Sequence, residues 1–402
     1  MGTALPDNEP LSEPQESWLL YIERQIKKYP APAIHELLQC DTVPVPPTKL
    51  DDMTITKVFA LLASLAALIK KGHHFSIDNA LRALTNHHLK LEVLHHPLKN
   101  RARALMFHLM AIITMMYSTE LNASSLKDPD QLRIDKMQCV SIEFSEPADI
   151  AELPFCEMIQ SFGPLLPVKD DTVMQSVADP VFSVDSLYVS LLNASTLTQI
   201  GEIQIQWIDN ISSHLQFDSE TRVLKLFCLP SFAEVNSNTT AAVFILLQDY
   251  YDVHNRPKDF TSKAFLKEIR QSYHLIFSDE SLSRSLYMKR ERKWLDKNGY
   301  EDKYRDQLCG TTLRTTHGRN SYSKTADFPI LAARLSRLQD YILRQNPKSL
   351  RMIWRDKRNP YQWYTFWAVI YIGGFGILLS LVQVALSAAQ VHYAAKGVYG
   401  DC

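Results

Sequence analysis

Apolar positions along this chain fall into short runs separated by charge, with one exception near the C-terminus. From Asn359 to Ala395 there is no Asp, Glu, Lys or Arg, and the 23 residues from Tyr364 to Leu386 are interrupted only by Thr365, Ser380 and Gln383. Wound as an α-helix at about 1.5 Å per residue, that stretch reaches about 34 Å, enough to cross a hydrocarbon core about 30 Å thick. The pattern predicts one transmembrane helix over 362–390 and a short tail over 391–402, with nearly the whole chain ahead of them.

Elsewhere the periodicities are those of a folded, water-facing region. Residues 1–15 read as disordered. Ser17–Lys28 reads as a helix with Trp18, Leu19, Ile22 and Ile26 on one side, followed by a Pro-rich connector around Pro44, Pro46 and Pro47. Val58–Ile69 and Ala104–Tyr117 are apolar runs too short to span comfortably, and they read as core helices packed on each other. Between them Ser76 is placed to cap a helix ending near Thr85. Residues 137–145 and 203–207 read as strands, 186–195 and 210–215 as helices, and H-L-Q-F with V-L-K-L-F as a hairpin across D-S-E-T-R. A strand, helix and hairpin in this order resemble a winged-helix unit. Residues 241–247 read as buried, 260–304 as helical and 309–327 as a polar loop. Leu331, Leu335, Leu338 and Ile342 then make an apolar helical stripe flanked by Arg334, Arg337 and Arg344, fit either for a membrane surface or for the folded core. The expected class is mainly α with a smaller α/β part. Its regions are 16–135 (helical), 136–255 (mixed α/β) and 256–358 (basic, helical, juxtamembrane).

Charge orients this arrangement. The formal net charge of −1 conceals an acidic first part and a basic stretch over 256–358. Arg344, Lys348, Arg351, Arg355, Lys357 and Arg358 precede the apolar helix, and Lys396 alone follows it. The positive-inside rule then puts the N-terminal region in the cytosol and predicts tail-anchored insertion. Tyr361, Trp363, Tyr364, Trp367 and Tyr371 mark the headgroup zone, with Arg355, Lys357, Arg358, Trp363 and Trp367 as interface residues. The basic stretch can meet anionic lipid or the acidic part of the same chain. Its cations are mixed with acids, so nucleic acid is not an expected partner. Six separated cysteines without a C-x-x-C pair fit reduced thiols. The opening residues lack the apolar run of a signal peptide. The four sequons, at Asn122, Asn193, Asn210 and Asn238, are expected to be unmodified.

Within the span, Gly373, Gly376, Ser380, Gln383, Ser387 and Gln390 recur at spacings of three and four, which puts them on one helix face. Small residues let helix backbones approach and Gln hydrogen-bonds across helices, so this face predicts packing against a second copy or another transmembrane helix.

Candidate chemistry is sparse. The glycine spacings of the common phosphate loops are missing, as are G-x-S-x-G and H-E-x-x-H. His73-His74, His87-His88 and His95-His96 form three pairs without nearby cysteine, and adjacent helical residues point about 100° apart, so they read as solvated histidines rather than a metal site. His108 reads as a core histidine. No cofactor is expected.

One resemblance adds to this. The stretch 187–232 and the tail 354–391, with R-D-K-R-N-P at 355–360 and Q-W-Y-T-F-W at 362–367, resemble a group of filamentous-fungal proteins of no assigned activity that end in a similar single span. The resemblance implies topology and fungal origin and brings no catalytic residues. The expected function is a membrane-tethered interaction or scaffold protein. The alternative is an anchored enzyme or accessory protein acting on a lipid or small metabolite.

Overall fold

The first helix, α1 (Glu13–Ile26), starts inside the stretch expected to be disordered. The Ser12 backbone N–H donates to the Gln15 side chain at 2.9 Å, and Glu13 and Glu16 sit at the positive end of the helix dipole. Trp18, Tyr21, Ile22 and Ile26 share its buried face. The computed structural model describes residues 10–38, 50–71, 75–85, 87–95, 98–119, 130–134, 144–163, 165–167, 185–237, 241–243, 245–247, 262–310, 319–345 and 360–399. The described residues are mostly helical (66%) with a few small sheets, and the chain divides into one compact unit ending at Arg344 and a second unit over 345–402.

Helices α2 (Ala31–Leu37), α3 (Asp52–Lys71), α4 (Ile77–Leu84) and α5 (Leu98–Thr114) follow α1. Helix α3 is long and apolar enough to cross a membrane, yet Val58, Leu61, Leu62, Leu65 and Ile69 bury one face in the core and the helix packs on α4 and α5. In α5 every residue from Leu105 to Thr114 is buried. Both runs are therefore core helices, as expected. Ser76 caps α4, its Oγ accepting the Asn79 N–H at 3.2 Å. Strands β1 (Gln131–Ile134) and β2 (Phe144–Pro147) pair antiparallel, and α6 (Phe155–Ser161) follows. Residues 137–143 of the expected strand lie outside the described residues.

The next segment departs most from expectation. In place of one helix over 186–195 the chain forms β3 (Ser186–Tyr188), α7 (Val189–Leu192) and α8 (Ala194–Gln199). Asn193 causes the break. Its Oδ1 accepts the Thr196 N–H at 2.9 Å and caps α8, while its Nδ2 donates to the Val189 carbonyl at 2.8 Å. With 4% exposure this sequon asparagine is closed to modification in the folded unit. Strand β4 (Gln204–Ile208) runs parallel to β6 (Val223–Phe227), and β5 (Phe217–Asp218) forms the expected hairpin with β6, giving the order β4-β6-β5. Residues 210–215 turn instead of forming a helix. Asn210 Oδ1 accepts the Ser213 N–H at 3.0 Å, and Leu215 has a left-handed φ of 61°. A parallel pair with no intervening helix is not a winged-helix unit.

After α9 (Pro230–Val235) the helical region contains α10 (Ser262–Tyr273), α11 (Ser281–Leu286) and α12 (Arg292–Lys297), joined through π-helical turns at His274–Ser278 and Tyr287–Glu291. Then come α13 (Lys303–Gly310), β7 (Ser321–Ser323) and α14 (Ala332–Arg344). The expected polar loop thus contains β7, which pairs with β3 because Leu187 and Tyr322 need a shared core position. Helix α14 buries Leu335, Leu338 and Ile342 against α7, β3 and β5. That overturns the membrane-surface option for this stripe. In the second unit, α15 (Pro360–Tyr399) is one helix of 40 residues, so most of the expected tail is helical too.

One buried charge fastens the helical part. Arg103, 2% exposed, spends all five N–H donors: Nε and Nη2 on the two oxygens of Asp78 at 2.8 Å each, Nη1 on Asn100 at 3.1 Å and Asp149 at 2.8 Å, and Nη2 on Glu152 at 2.9 Å. Burial acts to raise the Asp78 carboxyl, but Arg103 and Lys99 outweigh it and hold the group below its ordinary value. Arg103→Met would leave the buried Asp78 with Lys99 as its remaining cation and should cost about 3 kcal/mol. Asp149→Ala, whose carboxylate is mostly exposed, should cost about 1 kcal/mol or less. Urea unfolding of both variants followed by circular dichroism checks the contrast. Equal losses would mean that Arg103–Asp78 is not the fastening pair.

Candidate functional site

The carboxyl ends of parallel strands are where α/β sheets place ligands, and here β4 and β6 end side by side. The Cys228 N–H donates to the Ile208 carbonyl at 2.7 Å, which sets Asp209 and Cys228 just past the two strand ends. Asp209 is partly exposed. Its Oδ1 accepts from the Ser118 hydroxyl at 2.7 Å and its Oδ2 from the Tyr21 hydroxyl at 3.2 Å. Tyr21 stacks on Tyr300, which stacks on the exposed Trp294. Burial, then Asp209, pushes the Tyr21 phenol far above its ordinary value, so it remains a hydrogen-bond donor.

Beneath this edge lies Arg305, with no exposed surface. Its Nε donates to the Tyr287 hydroxyl at 2.8 Å, and its Nη1 to the carbonyls of Cys228 at 2.8 Å and Tyr300 at 2.7 Å. The Tyr287 hydroxyl donates in turn to Asp306. The guanidinium lies 5.9 Å from the Trp207 ring centre, and the Trp207 indole N–H donates to Glu291 at 2.8 Å. Tyr287 and Glu291, four residues apart on the π-helical turn at 287–291, share one side of it. Asp302 accepts the Arg305 N–H and the Ser231 N–H at 3.1 Å each, tying α13 to α9. Burial drives the thiols of Cys228 and Cys309 well above their ordinary values. Protonated and enclosed, they are poor nucleophiles.

A Ser–His contact occurs nearby, but its geometry is structural. His214 Nδ1 accepts the Phe227 N–H at 3.1 Å, so Nε2 carries the proton and donates to Ser272 Oγ at 2.8 Å. The Ser272 hydroxyl donates to the Ile269 carbonyl at 2.7 Å. This imidazole cannot take the serine proton in that arrangement. Burial, then Arg334, holds it down at about 3. His108, buried in the core as expected, contacts Thr119 at 2.6 Å and is held at about 4 by burial. His88 contacts Ser64 at 2.8 Å. His73, His74 and His96 lie outside the described residues, and among the described residues no three His, Cys, Asp or Glu are grouped to hold a metal.

The residues singled out in the apolar helix are all on α15. Gly373, Gly376, Ser380, Gln383 and Ser387 are exposed along one face, and a side chain added at Gly373 or Gly376 would meet open space. Ser380 Oγ returns to the Gly376 carbonyl at 3.0 Å. Trp367 sits 5.6 Å ring to ring from Tyr371. The Trp363 side chain and Arg355, Lys357 and Arg358 lie outside the described residues. No residue from Tyr364 to Ala394, 31 in all, is buried.

Sequence reasoning missed Arg103, Glu268 and Arg305. The signal for the first two was a charge sitting at the apolar period: Arg103 with Met106 and Met110, Glu268 with Ala264 and Phe265. Arg305 shows only the capping spacing of Asp302 three residues before it. Comparison with protein-family models, with curated proteins and with solved structures finds no match.

Glu268 gives this region a pH dependence. At 1% exposure its carboxyl accepts the N–H groups of Ile330 at 3.0 Å and Leu331 at 2.7 Å, just ahead of α14. Burial raises it from 4.5 to about 8, against the opposing pull of those N–H bonds and of Lys267. A carboxyl raised on folding contributes stability that is complete below about 4.5 and lost as pH rises through about 8. Glu268→Gln should remove this slope, leaving the variant more stable than the parent at alkaline pH in urea titrations. A parent and variant with parallel pH profiles would show that Glu268 does not titrate there.

Proposed function

We propose that this chain is a membrane-tethered interaction or scaffold protein. The observation that carries the reading is α15: 31 consecutive residues long and apolar enough to cross a membrane, with none of them buried. Such a surface is stable in hydrocarbon and unstable in water. The six cations before it and one after it support a cytosolic compact unit. The resemblance of the tail to fungal single-span proteins supports the same topology. In the compact unit Arg103, Glu268 and His214 are taken up in hydrogen bonds that hold elements together, which supports a binding role over a catalytic one. A second reading, an anchored enzyme or accessory protein acting on a lipid or small metabolite, is favoured by one feature: the partly exposed Asp209 at the end of β4.

The partners in this reading are the bilayer and, through the small-residue face, a second copy or another transmembrane helix. Deleting residues 360–402 should release a folded protein into the aqueous phase after alkaline extraction. Persistent membrane association would show that α3 or α5 also inserts. Gly376→Leu with Gln383→Leu should weaken association of labelled helices in bilayers by about 1–3 kcal/mol, or about 5- to 150-fold, while Leu379→Ala on another face should change it much less. Energy transfer between labelled helices measures this. Equal association of all versions would exclude a homotypic contact at this face.

A further inference from the structure

We propose that the outer side of the helical stretch α11–α12 is a docking surface for the anionic headgroups of the cytoplasmic leaflet. Resting on the membrane reading above, this gives the compact unit a lipid contact of its own. From Ser281 to Lys297 the chain is helical throughout, with the π-helical turn at 287–291 joining α11 to α12. Ser283, Tyr287, Glu291 and Leu295, each four residues after the last, are buried and fasten one side to the core. Two other rows at the same spacing lie away from it. Lys289, Lys293 and Lys297 are all exposed. Beside them run Leu282, 52% exposed, the half-buried Leu286, the exposed Arg290 and Trp294, 47% exposed.

Among the described residues none of the three lysines has a hydrogen-bond or ion-pair partner. Nearby acids are engaged elsewhere. Glu291 is buried and accepts from Trp207, while Asp296 and Asp306 lie 3.8 and 3.0 Å from Arg292. Trp294 is held against Tyr300 at 6.5 Å between ring centres and still presents its indole to solvent. Free ammonium groups beside Leu and Trp suit a headgroup zone, where lysine meets lipid phosphate and carboxylate and the indole enters the interface. An acidic protein would have to arrive by diffusion. A leaflet to which α15 tethers the chain is present at high effective concentration, so a weak contact per lysine is enough. Each well-placed cation strengthens binding about fivefold, and three about 100-fold. The stripe of α14, expected for this role, is buried, and the exposed face with its character lies here instead.

The full chain reconstituted in phosphatidylcholine vesicles, with and without phosphatidylserine, provides the test. Hydroxyl-radical oxidation of Trp294, read by mass spectrometry, should slow about fivefold or more when phosphatidylserine is present, and high salt should abolish the difference. Lys289→Glu, Lys293→Glu and Lys297→Glu together should abolish it too, with unchanged circular dichroism because all three side chains are exposed. Equal oxidation in the two lipids, in vesicles that retain the protein through alkaline extraction, would overturn lipid docking and leave anchoring intact, with an acidic protein as the occupant to seek. Protection that survives in the triple variant would overturn the assignment to this lysine row. A chain that no vesicle retains would overturn both the docking surface and the membrane reading.

Discussion

A guanidinium taken out of water needs partners for its N–H groups, and the partners of Arg305 come from four separate parts of the chain. They are the end of β6, the turn before α13, the π-helical turn at Tyr287 and the Trp207 ring. An unpaired charge at that depth would cost several kcal/mol. The position of each of these parts is therefore conditional on the others. Asp302 extends the constraint by holding the starts of α9 and α13, and Tyr273 does so by donating to the Phe227 carbonyl. The π-helical turn at 287–291 belongs to the same arrangement, since Tyr287 bonds Arg305 and Glu291 bonds Trp207.

The compact unit repeats this solution at smaller scale. Arg103 gathers α4, α5 and the turn at 148–152, and Glu268 holds the chain ahead of α14. His214 does the same for Phe227 and Ser272 as a neutral ring. In each case the polar group is surrounded by donors and acceptors of its own chain. Such groups are anchors of geometry, and their shifted protonation follows from burial. Shifted pKa values alone would have pointed to catalysis; the hydrogen-bond partners point to architecture.

The second unit is built on the opposite rule. Helix α15 has no ion pairs to satisfy between Asn359 and Ala395 because it has no charges there. Its backbone is satisfied within the helix, and its side chains are apolar or small. The same physics that makes Arg305 expensive to bury makes this surface expensive to leave in water. In the compact unit, Asp209 and the aromatic series Tyr21, Tyr300 and Trp294 carry polar chemistry from the interior toward the surface.

By itself the sequence determined the elements whose signal is local. An uncharged run over twenty residues long specifies a helix suited to hydrocarbon whatever surrounds it. Likewise Ser76, the D-S-E-T-R turn and the strand at 203–207 act within a few residues, and the core helices α3 and α5 follow from length and apolarity. Tertiary structure alone decided the rest. Ser186–Tyr188 became a strand because β7 lay alongside it, and α14 went to the core because α7, β3 and β5 offered its stripe a complementary face. Beyond the parallel pairing of β4 and β6, the meeting of Asp209 with Ser118 and Tyr21 joins residues 91 and 188 positions apart. No short-range pattern encodes such contacts, because their energy exists only once both partners have left water together.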